Sequence, residues 1–336
     1  AVTNPLGVYA TLGVLVISGS IAMSYISHSM FLPNWFVRKR GLAIGIAFSG
    51  VGFGSITLLP WFQNVINTEG WRQACIIIAA SVVIIIPLAA YFQRRSPADL
   101  GLKPDGDGAI SDTDSHKAID PIVDRKWAET DWTLKLAMKT ARFWWIFGAY
   151  FCALFVWYAV LVHQTIYLIE SGFNSAIAAT ALGLVGLFGI AGQIGIGAIS
   201  DRIGREWAWT LSLSGYIACY ATLIAIATTP STFLLYLMVI MQGLLGFGLA
   251  SIYGAVSVEI FGGRRFATIF AVTGLGGNFG AGVGPWLTGY IFDSTGSYHY
   301  AFLLCIAVAL TSIFCIWMAS PGKIRLVSGQ AARQRA

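Results

Sequence analysis

Long stretches of this chain hold no Asp, Glu, Lys or Arg, among them residues 41–68, 73–93, 143–169, 171–200, 207–258 and 266–292. A helix of roughly 20 apolar residues crosses about 30 Å of hydrocarbon. With the long gaps split at Ser171–Ser175 and Thr228–Thr232, the pattern predicts nine spans. They lie near 8–31, 42–65, 74–92, 143–169, 176–199, 207–227, 233–258, 267–292 and 300–318. Buried core helices of a soluble protein would need far more polar chain to cover them. Only helices and closed barrels satisfy backbone polar groups in lipid. The fold class is therefore an all-α polytopic membrane protein.

The polar intervals carry the orientation. Sorting them alternately puts 20 of the 21 basic residues on one side and leaves Arg72 alone on the other. Basic residues favour cytoplasmic loops, so span 1 runs inward and the C-terminus is cytoplasmic, as expected of a multi-pass protein of the plasma membrane. The net charge of +6 then reads as topology, and no nucleic-acid partner is expected; the bilayer is the expected surrounding.

Glycine adds a second period. Spans 3, 6 and 9 are nearly glycine-free, whereas spans 2, 5, 7 and 8 are rich, with pairs such as Gly50/Gly54 and Gly280/Gly284. Small residues permit close helix approach, and bulky aliphatic faces suit lipid. Three-helix units with one outer helix each are a pattern of transporter repeats. The longest polar interval divides the chain into spans at 1–92, a cytoplasmic linker at 93–141, six spans at 142–320 and a tail at 321–336. Near 132–140 the linker ends either as a short amphipathic surface helix or as plain connecting chain.

Composition agrees: 57% of residues are hydrophobic and 11% charged, against about 25% charged in an ordinary soluble domain. Cys75, Cys152, Cys219, Cys305 and Cys315 all sit in apolar runs and read as buried thiols. A membrane enzyme lacks its parts: the four histidines have no H-E-x-x-H spacing, and neither G-x-S-x-G nor a phosphate loop occurs. No catalytic residue, metal site or cofactor is expected.

The sharpest motif joins spans 5 and 6: Gly197-Ala198-Ile199-Ser200-Asp201-Arg202-Ile203-Gly204-Arg205. Gly204 suits a tight turn, and Asp201 lies where a helix ends and can accept hydrogen bonds from a neighbouring helix N-terminus. This G-x-x-x-D-R-x-G-R spacing resembles the signature loop of the major facilitator superfamily. Residues 34–43, Val162-His163 with Gly172-Phe173, Glu259 through Arg265, Gly284-Pro285 and residues 292–298 are similar to its monocarboxylate-porter-like and oxalate–formate-antiporter-like branch. The resemblance implies two six-helix bundles, with this chain holding helices four to twelve. The chain begins at Ala1 without a methionine, so three further helices are expected ahead of it.

The resemblance also implies alternating access around a midplane site, with spans 1, 4, 5, 7 and 8 lining the cavity. Substrate-binding candidates are Tyr25, His28, His163, Tyr167, Gln193 and Asn278, with Gln242, Tyr253 and Thr273 behind them. Each has interhelical hydrogen bonding as its plainer reading. His163 stands out, because intramembrane titratable groups are functional candidates by default. Gating candidates are Gly197, Asp201, Arg202, Gly204, Arg205, Glu259, Arg264 and Arg265; the resemblance implies that Asp201, Arg205, Glu259 and Arg265 cluster. Porters of organic anions in this branch often carry an arginine where Gln193 stands. The implied function is secondary active transport of a small organic anion such as a monocarboxylate, with a proton as candidate coupling ion. The alternatives are a porter of a neutral or weakly polar solute and a transport-like receptor.

Overall fold

The computed structural model describes residues 4–16, 19, 32–94, 96–106 and 122–333. Its long helices are α1 (Arg40–Glu69), α2 (Trp71–Phe92), α3 (Ala141–Glu170), α4 (Ser175–Ile203), α5 (Arg205–Thr228), α6 (Thr232–Phe261), α7 (Phe266–Thr295) and α8 (His299–Ala319). Among the described residues there is no strand; Ile122 and Arg325 form an isolated bridge. Helices α2 to α8 are long and apolar enough to cross a membrane. Of the predicted span 8–31, residues 8–16 are helical; most of the remainder, including Tyr25 and His28, lies outside the described residues.

Polar side chains cap the starts of two helices. The Asn174 side chain accepts the Ala176 N–H at 2.8 Å and starts α4, and Ser231 does the same for α6. Helix α6 is interrupted at mid-length by a π turn at Met241–Leu245 and a 3₁₀ turn at Gly246–Gly248. There Gly243 meets α4, while Gly246 abuts the Tyr216 ring of α5.

Two glycine contacts set the helix packing. On α7, Gly276, Gly280 and Gly284 repeat every four residues and face the carbonyls of Phe147, Phe151 and Phe155 on α3, which repeat with the same step. Residues four apart share a helix face, so the two parallel helices touch backbone to backbone along three turns. On α1, Gly41, Gly45 and Gly52 face Gly197, Gln193 and Gly186 of α4 in descending order. The close-approach residues of α1 are therefore these three and not Gly50 and Gly54, which face open space and their own helix.

Helices α3 to α8 share one apolar core, to which α1 adds Ile44 and Phe48. The glycine-poor α5 contributes to this core as well. Half of its most apolar stretch is buried, as in α3, because Trp209, Tyr216 and Tyr220 fill the core with large rings. Helix α2 has none of that stretch buried and α8 has 39% of it buried. Cys75 of α2 is exposed, whereas the other four thiols are buried.

The linker end does not lie apart as a surface helix. Residues 132–140 contain a single helical turn, Leu134–Ala137, with Ala137 fully buried. Trp127 and Trp132 pack on Phe261 at the end of α6, and the Trp127 indole donates to the Ile260 carbonyl at 2.8 Å. Two indoles and a cation–π contact from Arg142 at 4.4 Å anchor this segment to protein rather than to a lipid surface.

Candidate functional site

The ends of α1, α4, α5 and α6 converge on one charged cluster. A helix leaves its first N–H groups without intrahelical partners and carries a partial positive charge there. Asp201, in the last turn of α4, meets this need for α1: its two carboxylate oxygens accept the Gly41 and Leu42 N–H groups, each at 3.0 Å. Gly204, at φ 104°, makes the turn from α4 to α5. A side chain at that φ would be strained. The turn brings Arg205 back onto the cluster.

Arg205 is the centre. Its Nη1 lies 2.9 Å from Asp201 and donates to the Ser200 hydroxyl at 2.5 Å, while its Nε donates to Glu259 of α6 at 2.7 Å. Arg205, Asp201 and Glu259 are 2%, 7% and 5% exposed, so water screens these bonds little and they belong to the strong, charge-assisted class. Arg40 lies close by, attracted by Glu259 and Asp201 and repelled by Arg205 and Arg325. Burial pushes the Arg325 guanidinium below its ordinary value, against the pull of Glu259.

Of the gating residues expected from sequence, Asp201, Arg205 and Glu259 come together. Gly197 supports them as a packing residue, its backbone against Gly41. Arg202, Arg264 and Arg265 are exposed. Arg265 caps the start of α7 outside the cluster, and Arg40 takes the neighbouring cationic position. Sequence reasoning missed Arg40 and Ser200, although Arg40 lies inside the 34–43 turn and Ser200 inside the motif.

At the opposite ends of α3 and α8 a second group forms. His163 Nε2 is 3.0 Å from the Pro285 carbonyl, and Nδ1 is 3.1 Å from the Tyr298 hydroxyl. A carbonyl only accepts, so Nε2 donates to Pro285. The ring thus links α3, α7 and the residue before α8. Tyr167, one turn on, donates to the Leu223 carbonyl of α5 at 2.6 Å and packs edge-on against Tyr298. Phe292 stacks on the other side of Tyr298 at 4.2 Å.

The remaining candidates stand apart from these groups. Gln193 is fully buried against α1, and its amide has no hydrogen-bond partner. Asn278 is exposed on α7 beside Phe279, Gly282 and Trp286, which line a shallow depression. Tyr253 stacks on Tyr150 at 3.8 Å, and Thr273 bonds to carbonyls of its own helix. Sequence reasoning missed Gln164, also buried with both amide atoms unpartnered.

Comparison with known proteins agrees with this geometry. The chain is 26% identical over 332 residues to monocarboxylate transporter 12 of Rattus norvegicus, covering 91% of this chain and 65% of that protein. It is 24% identical to monocarboxylate transporter 13 of Bos taurus, over 90% of this chain and 65% of the relative. The oxalate:formate antiporter of Oxalobacter formigenes is 24% identical, over 86% and 65%. The chain thus spans about two thirds of the length of these relatives. The family model of the Major Facilitator Superfamily matches residues 3–254. With these matches, the Asp201 loop and seven helices apolar enough to cross a bilayer, the chain is an integral multi-pass membrane protein that belongs to the major facilitator superfamily, in its monocarboxylate-transporter-like branch.

Proposed function

We propose that the protein is a secondary active transporter that moves a small organic anion, of the monocarboxylate class, by alternating access. The relatives are named for transport and not for catalysis. The observation that carries the reading is the Asp201–Arg205–Glu259 cluster. It joins the ends of α1, α4, α5 and α6 by directional bonds that can break and reform as a unit. In this reading these ends are cytoplasmic, α1 and α2 belong to the first helical bundle and α3 to α8 to the second. The cluster then latches the outward-open state.

Uptake of a radiolabelled monocarboxylate into proteoliposomes tests the proposal. Asp201→Asn keeps one accepting oxygen but loses the charge opposite Arg205. A hydrogen bond to a charged group contributes about 1.5–3 kcal/mol, so uptake is expected to fall roughly ten-fold or more at unchanged expression. Wild-type uptake by this variant would remove Asp201 from the mechanism.

A second reading has its own observation. The buried Gln193 amide stands where related anion porters often carry a cation, and residues 143–169, 171–200, 207–258 and 266–292 hold no Lys or Arg. A neutral or weakly polar solute fits such a site. Preference for a neutral hydroxylated solute over the monocarboxylate in the same liposomes would select it.

For His163 the bonds to Tyr298 and Pro285 support a role in holding α3, α7 and α8 together, over direct solute contact. His163→Leu leaves both partners unsatisfied, and each such loss costs about 1–3 kcal/mol. The expected result is a lower melting temperature with the pH profile and apparent solute affinity of uptake unchanged. A shifted pH profile at normal stability would restore His163 as a solute or proton site.

A further inference from the structure

The chain after α8 returns across the charged end instead of leaving it. The Gly322 N–H donates to the Glu206 carboxylate at 2.6 Å, at the start of α5. Ile324 is fully buried, and its carbonyl accepts the Val123 N–H of the linker at 2.8 Å. Val327 and Ala331 are buried on the same side. The short helix Ser328–Arg333, which includes Ala331, lies on the turn from α4 to α5. The Gln330 amide donates to the Ile203 carbonyl at 2.8 Å and fills the space that the missing side chain of Gly204 leaves. Gly329 is so near that an added Cβ would stand 2.6 Å from the Arg202 Cα.

Ser328 reaches further. Its hydroxyl donates to the Arg38 carbonyl at 2.8 Å and lies 3.3 Å from the Asp201 carbonyl. Arg38 precedes α1, and its N–H is held by Asp105 at 3.1 Å; Asp201 ends α4. One side chain of the tail thus spans the same seam that the Asp201 carboxylate spans by capping α1. The separation in sequence is 290 residues from Ser328 to Arg38 and 127 from Ser328 to Asp201, so nothing local imposes the arrangement. Three successive residues of the tail, Ser328, Gly329 and Gln330, fit the Asp201 loop, while Gly322 and Ile324 tie the tail to α5 and to the linker.

We propose that the tail is a third component of the gate, with Ser328 as a positioning residue that clasps the Asp201 loop to the turn before α1. The proposal rests on the alternating-access reading. In that cycle, opening this end separates α1 from α4, so the Ser328–Arg38 bond must break with the Asp201 cap. The clasp therefore stabilises the closed state of this end, and its loss raises the open population without touching the solute site.

The test is the distance distribution between spin labels at Lys39→Cys and Arg202→Cys, in a background without native thiols, on the reconstituted protein. A neutral hydrogen bond contributes about 0.5–1.5 kcal/mol, so Ser328→Ala is expected to raise the long-distance population on the order of five-fold. Ser328→Thr, which keeps the hydroxyl, should restore the short distance. Gln330→Ala, at the rim of the same helix, should act in the same direction and supplies the readout if Ser328→Ala folds poorly. Asp201→Asn serves as the reference for the gate itself. A shift with Asp201→Asn but none with Ser328→Ala or Gln330→Ala would overturn the tail's role and leave the gate standing. No shift with any of the three would sink both.

Discussion

Arg205→Ala is expected to destabilise the protein by about 3–5 kcal/mol, the usual cost of breaking a buried ion pair by removing one partner. The variant leaves Asp201 and Glu259 as buried carboxylates without the guanidinium that bridges them, at 2.9 and 2.7 Å. Arg40 lies close enough to offset part of the loss, but it does not replace the bond to Ser200 or the link between two helices. A thermal melt in detergent and an uptake assay should both report a large loss. Arg205→Lys should recover only part, because an ammonium is a point donor and lacks the planar fork that serves two carboxylates. Adding Glu259→Gln to Arg205→Ala removes one uncompensated charge. Stability should then rise above that of the single variant while uptake stays low. A single variant that melts like the wild type would show that the cluster carries no buried ion pair of consequence.

Gly280→Ala is expected to cost about 3 kcal/mol or more, at or beyond the upper end of ordinary overpacking. The added Cβ would overlap the Phe151 carbonyl, with the Phe151 backbone carbon 2.8 Å away. A side chain could turn aside, whereas this neighbour is helix backbone. Relief requires α3 and α7 to separate, which also loosens the Gly276 and Gly284 contacts. Gly282→Ala on the same helix is the internal control, because nothing lies within 4 Å of its position. Both variants gain the same helix propensity of up to about 1 kcal/mol, so the difference between their melting temperatures reads the contact alone. Equal melting of the two would mean that α3 and α7 do not meet backbone to backbone.

The two predictions divide along what was legible. The Asp201–Arg205 half of the cluster sits in one nine-residue motif, and Glu259 follows from family likeness. Placing Arg265 beside them did not hold, because the turn at 262–265 aims that side chain outward while Arg40 enters from α1. His163 was visible as an unusual titratable group, but its partners Pro285 and Tyr298 lie 122 and 135 residues away. No local pattern encodes a bond of that span.

Sequence alone determined where the long helices lie. The predicted spans 143–169, 207–227 and 300–318 became Ala141–Glu170, Arg205–Thr228 and His299–Ala319, because a charge in hydrocarbon is costly and the chain places its charges where helices end. It also determined that glycine-rich helices would meet closely. Only the tertiary structure decided which glycines do so: Gly45 and Gly52 rather than Gly50 and Gly54, and Gly280 against the Phe151 carbonyl. It alone showed that α5 fills the core with Trp209, Tyr216 and Tyr220, and that the tail covers the Asp201 loop. The reason is physical. A span is fixed by its own residues against a uniform solvent, the lipid, whereas a contact is fixed by the shape and hydrogen-bonding groups of a partner that the local sequence does not contain.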